Sequence, residues 1–493
     1  APHLVKPIRF LYPVTHPIWE RAYIGAGMML YDIFSWSGGS SPGVPHHRHL
    51  SKRQIELAAP SLAGSEIIGG MSYSDGRVDD ARYCVNLVRT AVANGAIAAN
   101  RTELIGFVQN KGRVTGAQIK DLETGETFTV KAKQVINATG VWTGKTQQLV
   151  HEGGELRVRA SKGIHILIPR EKFKSVMGLL LRTEKSVLFV IPWGRHWIVG
   201  TTDTDWDLDK LNPSATATDI NYVLDHLNAV VDEPITHDDI EGVYVGLRPL
   251  LASKQENTTK LSREHLVVRP KPGLVLIAGG KWTTYRIMGK DAVDAAVAGL
   301  VEDAKINPQI PDSITSKVPL LGAAGYRGLW NQRARLAKKL GLEQHAVAHL
   351  LNRYGSMASE LFELIAADKT LAQTLPGNPD YLQAEVIYAV THEGALHVED
   401  VLARRTRLNF ETRDRGIAAA PVVAKLMGKQ LGWSTAREKK ERENFIAATK
   451  ADLEAQKQLT DEAANAARLK VAPIVDESLL QEPTPDLSQS ELP

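Results

Sequence analysis

The sequence predicts a chain that is α/β in one part, α+β in a second, and all-α towards its C-terminus. An apolar run at Leu274–Ala278 leads directly into two glycines and a helix, a pattern typical of a strand buried on both faces of an α/β sheet. The alternating runs Val187–Pro192 and His196–Thr201 predict an antiparallel hairpin. Between Gln332 and Ala467, periodic segments separated by short turns predict helices.

Composition limits the classes of function. The 493 residues, 43% of them hydrophobic, are enough for two or three domains with substantial cores. The 59 basic and 56 acidic side chains leave a net charge of +3, which lacks the excess of positive charge typical of nucleic-acid binding. Cys84 is the only cysteine, which excludes an intrachain disulfide, argues against a thiolate metal site and favours a reducing, cytoplasmic location.

The N-terminal region carries two features with open interpretations. Ile18–Trp36 is dense in apolar and aromatic residues and predicts an amphipathic helix, which either packs on the core or lies in a membrane interface. No run is long and apolar enough to span a membrane. His46, His47 and His49 lie in a loop rich in glycine and proline, but we find no carboxylate nearby in the sequence and predict no metal site.

The next segment predicts a helix followed by four strands. Asp79 is expected to cap a helix that ends at Asn94-Gly95. The strands follow as a three-stranded meander and then a buried strand: Glu103–Val108, Val114–Lys120, Thr127–Val130 and Gln134–Ala138.

Further along, the apolar face of Ile220–Val231 predicts a helix lying across an antiparallel sheet. Pro249 is expected to end a strand at Val243–Val245. Thr435 and Glu438 predict a capping box before a charged helix. No basic residue follows Lys470, and the acidic, proline-containing remainder predicts a disordered tail.

Two sets of residues could carry chemistry. Gly279 and Gly280 precede a helix, whose N-terminus suits an anion or a reduced flavin, although a tight turn without a ligand explains them equally well. Arg248 and Arg263 lie at strand ends, where guanidinium groups could bind a phosphorylated substrate or simply face solvent. The residues alone leave a flavin- or nucleotide-binding α/β enzyme as one interpretation among several.

At these residues the sequence resembles the FAD-dependent glycerol-3-phosphate dehydrogenases, in the family's order and over nearly the whole chain to about Gly432. The matching segments are Ala1–Pro7, Val78–Arg82, Asn137-Ala138-Thr139-Gly140, Ser161-Lys162-Gly163 with His165, Gly200–Asp203, Gly246-Leu247-Arg248-Pro249-Leu250, Gly279-Gly280-Lys281-Trp282-Thr283-Thr284-Tyr285-Arg286, and Thr391–Glu393 through Arg404-Arg405.

The resemblance implies a glutathione-reductase-type FAD-binding domain, a substrate domain built on an antiparallel sheet, and a helical C-terminal domain. On that basis we expect residues 1–160 to hold the remainder of the FAD domain with part of the substrate region. Residues 161–307 would form the substrate domain and return to the FAD domain at 274–300. Residues 308–455 would form the helical domain, and 456–493 a charged helix end and the tail.

The family reaction oxidises sn-glycerol 3-phosphate to dihydroxyacetone phosphate by hydride transfer to FAD. Electrons then pass to a membrane quinone, or to oxygen in close relatives. By resemblance, Arg248 and Lys281 are the catalytic residues, and Arg248, Arg263 and Lys281 bind the substrate. The residues expected to contact FAD are Ala138, Thr139, Gly140, Gly279, Gly280, Lys281, Thr283 and Thr284.

The glycine fingerprint that binds the FAD pyrophosphate does not follow a strand near the N-terminus. The resemblance places it, with a candidate general base, before Ala1, so we expect the FAD domain to be incomplete in this chain and the natural product to be longer. The strand at Gln134–Ala138 would then expose apolar edges. Two alternatives remain: an oxygen-using oxidase, and a binding module without catalysis. Expected partners are a quinone, the inner face of the plasma membrane and a second copy of the chain.

Overall fold

The computed structural model of the protein describes residues 1–16, 18–37, 45–62, 66–150, 157–184, 187–251, 264–306, 309–472 and 474. The strands, numbered in chain order, are β1 Lys6–Val14, β2 Arg48–Ser51, β3 Gly69–Arg77, β4 Thr102–Asn110, β5 Arg113–Asp121, β6 Thr127–Lys131, β7 Val135–Asn137, β8 Val158–Pro169, β9 Gly178–Arg182, β10 Val187–Trp193, β11 His196–Gly200, β12 Thr204–Trp206, β13 Gly242–Leu251, β14 His265–Lys271, β15 Leu274–Gly279, β16 Thr374–Leu375 and β17 Asn378–Leu382.

The helices are α1 Trp19–Ser37, α2 Lys52–Ala58, α3 Asp80–Ala93, α4 Thr143–Gln148, α5 Ala217–Asn228, α6 Tyr285–Glu302, α7 Tyr326–Asn331, α8 Arg333–Leu340, α9 Gln344–Tyr354, α10 Ala358–Ala367, α11 Gln383–Glu393, α12 Leu408–Glu411, α13 Ala420–Leu431, α14 Thr435–Ala455 and α15 Asp461–Arg468. The chain forms two compact units. Unit 1 comprises Ala1–Ala98, Ser161–Leu247 and Lys317–Lys470, and unit 2 comprises Ala99–Ala160, Arg248–Ser316 and Val471–Pro493. The predicted domains were assigned from the family resemblance, whereas these two units are defined by compactness. The predicted boundaries therefore stay a prediction.

A large mixed sheet forms the centre of unit 1, in the order β12-β8-β11-β10-β9-β1-β3-β2, with β13 also paired to β8. The predicted hairpin is confirmed as β10 and β11, which pair from Phe189–Gly200 to Trp193–His196. Helix α5 buries Ile220, Val223, Leu224 and Leu227 against this sheet, as predicted, although it ends at Asn228. Burying four branched side chains stabilises this contact by about 1.5–3 kcal/mol each before entropy is counted.

The C-terminal part of unit 1 consists mainly of helices α7–α15, as predicted. One difference is a short hairpin among the helices, formed by β16 and β17 on either side of Pro376-Gly377. Gly377 has φ +89°, which a glycine adopts without strain, so it suits the tight turn between the two strands. Another difference is the start of α14, where the Ser434 hydroxyl rather than Thr435 accepts the capping hydrogen bond, from Arg437 N at 3.2 Å.

A fully buried lysine joins the sheet of unit 1 to two of its helices. Lys162 on β8 lies 2.6 Å from a carboxylate oxygen of Asp219 on α5, and it also pairs with Asp461 on α15. Its ammonium group lies 5.1 Å from the centre of the Trp206 ring. Because a buried ammonium group requires charged partners, this lysine holds α5 and α15 to β8.

Unit 2 contains the predicted meander, β4-β5-β6, and a second sheet in the order β14-β15-β7. β15 is buried along Leu274–Ala278, as predicted, and α6 follows it. β7 differs from the prediction of a buried strand, because only Asn137 is buried and Ile136 is exposed. β7 forms one edge of this sheet among the described strands.

The predicted N-cap of α3 is confirmed: the Asp79 carboxylate accepts a hydrogen bond from Arg82 N at 3.0 Å. The expected end of a strand at Pro249 is wrong, since β13 continues to Leu251. Proline is tolerated in a strand where its missing N–H is not needed for pairing.

Candidate cofactor and substrate site

Two neighbouring strands of unit 2 bring most of the sequence-predicted site residues to one edge of a sheet. β7 and β15 pair in parallel, with Val135 opposite Leu274 and Asn137 opposite Leu276. Because parallel strands end at the same edge, the turns that follow them lie side by side. The first turn contains Ala138–Gly140 and the second contains Gly279–Lys281.

The first turn is held by Asn137. Its side-chain oxygen accepts hydrogen bonds from Thr139 N at 3.1 Å and from the Thr139 hydroxyl at 2.7 Å. Its amide nitrogen donates to the hydroxyl of Thr146 on α4 at 2.6 Å. Gly140 has φ +58°, and a Cβ atom built there would meet no atom within 4 Å. Hydrogen bonds of Asn137 therefore hold the turn on one side, and the space beside Gly140 is open.

The second turn needs its two glycines for packing. Gly279 has φ +76° and Gly280 φ +89°. A Cβ atom at Gly279 would lie 2.5 Å from the carbonyl oxygen of Glu264, and one at Gly280 would overlap the sulfur of Met288. The tight-turn interpretation therefore explains this glycine pair by itself, and evidence for a ligand must come from the residues that follow.

Lys281 and the helix start behind it make this end of the site electropositive. Lys281 is exposed, and its ammonium group forms no ion pair within the described ranges. The Thr284 hydroxyl donates to Lys281 O at 3.0 Å and closes a short 3-10 turn before α6, whereas Thr283 is exposed. The 18-residue helix α6 adds the partial positive charge of its N-terminus. An anion or a developing negative charge would be stabilised here.

The end of β13 lies beside the second turn. The Leu251 side chain would be 2.9 Å from a Cβ atom built at Gly279, and Arg248 is half-buried three residues earlier on the same strand. Arg263, the other predicted substrate arginine, lies outside the described residues.

The histidine cluster has a carboxylate neighbour that the sequence analysis did not find. Asp32 on α1 lies 2.7 Å from His47 Nδ1 and 3.4 Å from His46 Nδ1. Hydrogen bonds from His47 outweigh the effect of burial and lower the pKa of Asp32. The part of the chain that the structure describes contains no group of three or more His, Cys, Asp or Glu side chains suited to a metal ion.

Comparison with known proteins gives the family of the chain. Residues 7–295 match the family model described as FAD dependent oxidoreductase. Residues 313–438 match the C-terminal domain of alpha-glycerophosphate oxidase. Glycerol-3-phosphate dehydrogenase 2 of Mycobacterium tuberculosis is 47% identical over 95% of this chain and 78% of its own length.

The chain belongs to the FAD-dependent glycerol-3-phosphate dehydrogenase family. A more distant relative, the mitochondrial glycerol-3-phosphate dehydrogenase of Homo sapiens, is 32% identical over 88% of this chain and 60% of its own length. Among solved structures, the glycerol-3-phosphate dehydrogenase of Bacillus halodurans complexed with FAD has a TM-score of 0.75 and 26% identity. That match covers 91% of this chain and 82% of the other.

The described residues fit the flavin end of FAD. The space in front of Gly140 is open, and the exposed side chain of Lys281 adjoins a helix N-terminus at the same sheet edge. Asn137 belongs to the motif Asn137-Ala138-Thr139-Gly140, but its hydrogen bond to Thr146 was not predicted. Thr146 lies nine residues further along the chain, where no local pattern marks it.

Proposed function

We propose that the protein oxidises sn-glycerol 3-phosphate to dihydroxyacetone phosphate, with FAD as its cofactor. The observation that carries this proposal is the convergence of the turns at Ala138–Gly140 and Gly279–Lys281 in a member of this family. Bound FAD supplies the acceptor for the hydride that leaves C2 of the substrate.

The residues of the chain would bind and orient the substrate. The guanidinium group of Arg248 is suited to paired hydrogen bonds with a phosphate group, and Arg263 is proposed as a second phosphate or hydroxyl ligand. Lys281 is proposed to stabilise the negative charge that develops on the C2 oxygen. Ala138, Thr139 and Gly140, together with Gly279, Gly280, Thr283 and Thr284, are proposed to line the flavin.

We further propose a quinone as the electron acceptor. The test measures substrate-dependent reduction of a soluble quinone analogue and release of hydrogen peroxide by the purified, vesicle-bound flavoprotein. We expect quinone reduction with sn-glycerol 3-phosphate and none with its enantiomer. Hydrogen peroxide released in equal amount to substrate oxidised would identify an oxidase instead, and a purified protein without a flavin spectrum would favour the non-catalytic binding module.

Association with a membrane surface is proposed from the exposed face of α1. Trp19, Tyr23, Leu30 and Phe34 recur at helical spacing and are exposed, Phe34 by 70%. The opposite face packs Ile24 and Met28 against a core formed by Tyr12, Val14 and Met71.

Exposed basic residues, Lys52 and Arg53, lie on α2 nearby in the sequence. An apolar face with adjacent positive charge is the pattern of a helix that lies in the lipid interface. No described helix is long and apolar enough to cross a bilayer.

Charged substitutions on this face are expected to release the protein from lipid. We expect Leu30→Glu/Phe34→Glu to weaken binding to anionic vesicles at least about 10-fold, because each apolar side chain contributes about 1.5–3 kcal/mol when buried. The measurement is co-sedimentation with vesicles. The matched control, Ile97→Glu/Leu211→Glu, adds the same charges at exposed apolar positions of unit 1. Equal release by both pairs would exclude α1 as the lipid-binding face.

The proposed location is the inner face of the plasma membrane, which cell fractionation tests. A homodimer stays a prediction, and light scattering of the detergent-solubilised protein would test it.

A further inference from the structure

A cavity of about 240 Å³ lies within unit 1 and is lined by basic and acidic side chains. Its walls come from the segment before β1, the ends of β1 and β3, the turn between β10 and β11, helix α9 and strand β17. None of the residues proposed to contact FAD or the substrate lines it.

The acidic residues of this cavity already have partners. Asp79 pairs with Arg407 and Arg353, and Asp380 lies 3.3 Å from Arg195. Glu411 accepts hydrogen bonds from Trp193 Nε1 at 2.6 Å and from the Tyr381 hydroxyl at 2.9 Å. Burial raises the pKa of Glu411.

Two cations of the wall have no such partner. Among the described residues, neither Lys6 nor Arg77 forms an ion pair with a carboxylate. Lys6 Nζ donates to Pro2 O at 3.0 Å and to the Tyr326 hydroxyl at 2.8 Å, and Arg77 donates to Pro192 O. Burial, and then repulsion from Arg77, lowers the pKa of Lys6. Lys6 and Arg77 therefore repel each other, while the three carboxylates of the wall, Asp79, Asp380 and Glu411, are bonded to other side chains.

His3 is the second and independent sign of a ligand. It is 1% exposed, and neither ring nitrogen has a hydrogen-bond partner within the described ranges. Burial is the largest of the causes that lower the pKa of His3, which favours the neutral ring with one N–H donor. Buried polar groups are nearly always hydrogen-bonded, so an unpartnered ring that lines a cationic cavity points to an occupant that accepts a hydrogen bond.

We propose that this cavity is a second anion site, which binds a phosphate group either as free phosphate or as a small phosphate ester. Lys6 and Arg77 neutralise the dianion, and His3 donates a hydrogen bond to one of its oxygens. A volume of about 240 Å³ accommodates a phosphate with a few carbon atoms, below the range of roughly 300–1,000 Å³ that larger ligands occupy.

The test counts phosphate ions bound to the FAD-loaded protein by isothermal titration calorimetry. Because the proposed substrate site also has cations for phosphate, we expect two sites in the wild type. Lys6→Gln/Arg77→Gln is expected to lose one site or weaken it at least about 10-fold, with an unchanged KM for sn-glycerol 3-phosphate. The matched control, Arg335→Gln/Lys338→Gln, removes two exposed charges from α8 and is expected to keep both sites. Unchanged number and affinity of sites in the Lys6/Arg77 pair would overturn the proposal.

A second variant keeps the proposal testable if the Lys6→Gln/Arg77→Gln protein fails to fold. His3→Phe preserves the charges and ring volume but removes the donor, and one lost hydrogen bond predicts roughly 10-fold weaker phosphate binding. Titration with glycerol 2-phosphate distinguishes the sources: tighter binding than phosphate identifies an ester, and equal binding identifies the free ion. If neither phosphate nor glycerol 2-phosphate binds the wild-type protein at this site, the proposal is overturned.

Discussion

Lys281→Met is expected to lower kcat/KM for sn-glycerol 3-phosphate by about 10²- to 10³-fold, the usual cost of removing one group that stabilises a developing oxyanion. Lys281 is exposed at the N-terminus of an 18-residue helix, beside the open turn at Gly140. Its charge is not neutralised by an ion pair with a described carboxylate. If it acts on the alkoxide, kcat falls together with kcat/KM.

Steady-state kinetics with a quinone analogue, together with flavin content, provides the measurement. Lys131→Met removes an exposed lysine elsewhere in unit 2 and is expected to keep full activity. A rise in KM with unchanged kcat would show that Lys281 only binds substrate. Loss of flavin in Lys281→Met would instead place its main role in holding the cofactor.

Asp79→Asn is expected to destabilise unit 1 by about 3–5 kcal/mol, the usual cost of removing one partner from a buried ion pair. Asp79 caps α3 and pairs with the buried guanidinium groups of Arg407 and Arg353, the latter at 3.5 Å. The asparagine could still cap the helix, but Arg407 would lose its nearest carboxylate, and Arg353 would keep only Glu385, at 3.5 Å. Urea unfolding followed by tryptophan fluorescence measures the loss.

The same carboxylate gives a pH dependence with a defined sign. Burial alone would raise the pKa of Asp79, but Arg407 and Arg353 outweigh burial and lower it to about 2. Because the unfolded value is about 3.9, the stabilisation is complete above that pH and is lost as pH falls towards 2. The difference between wild type and Asp79→Asn should therefore be constant from pH 8 to 5 and shrink below pH 4. Asp80→Asn is the comparison: Asp80 also lies 3.4 Å from Arg407, but its side chain is 77% exposed, so we expect a smaller loss, and an equal loss would contradict the assigned ion pair of Asp79.

Patterns of neighbouring residues predicted the strands that such patterns identify. Alternation gave β10–β11 and the meander β4–β6, and a continuous apolar run gave β15. β1 and β3 were not predicted, because β3 is rich in glycine and serine and is held by pairing with a strand more than fifty residues earlier. Neither propensity nor periodicity reports such a long-range partner.

The two turns of the candidate cofactor site were predicted from the sequence, but the contacts around them were not. Glycines after apolar strands marked both turns, and the parallel pairing of β7 with β15 brings them together. The packing reason for Gly279 was not visible in the sequence, since it depends on Glu264, just before β14, and on Leu251 of β13. The cavity around His3 was missed for the same reason: its walls come from segments hundreds of residues apart.

The buried lysine of β8 also orders the events of synthesis. During translation, Asp461 is made 299 residues after Lys162, so the second carboxylate partner of Lys162 is absent until then. At roughly 5–20 residues per second on the ribosome, that interval is about 15–60 s. Until α15 has been made, Lys162 has Asp219 but lacks its second carboxylate, so we expect unit 1 to reach its full stability only after α15 is translated.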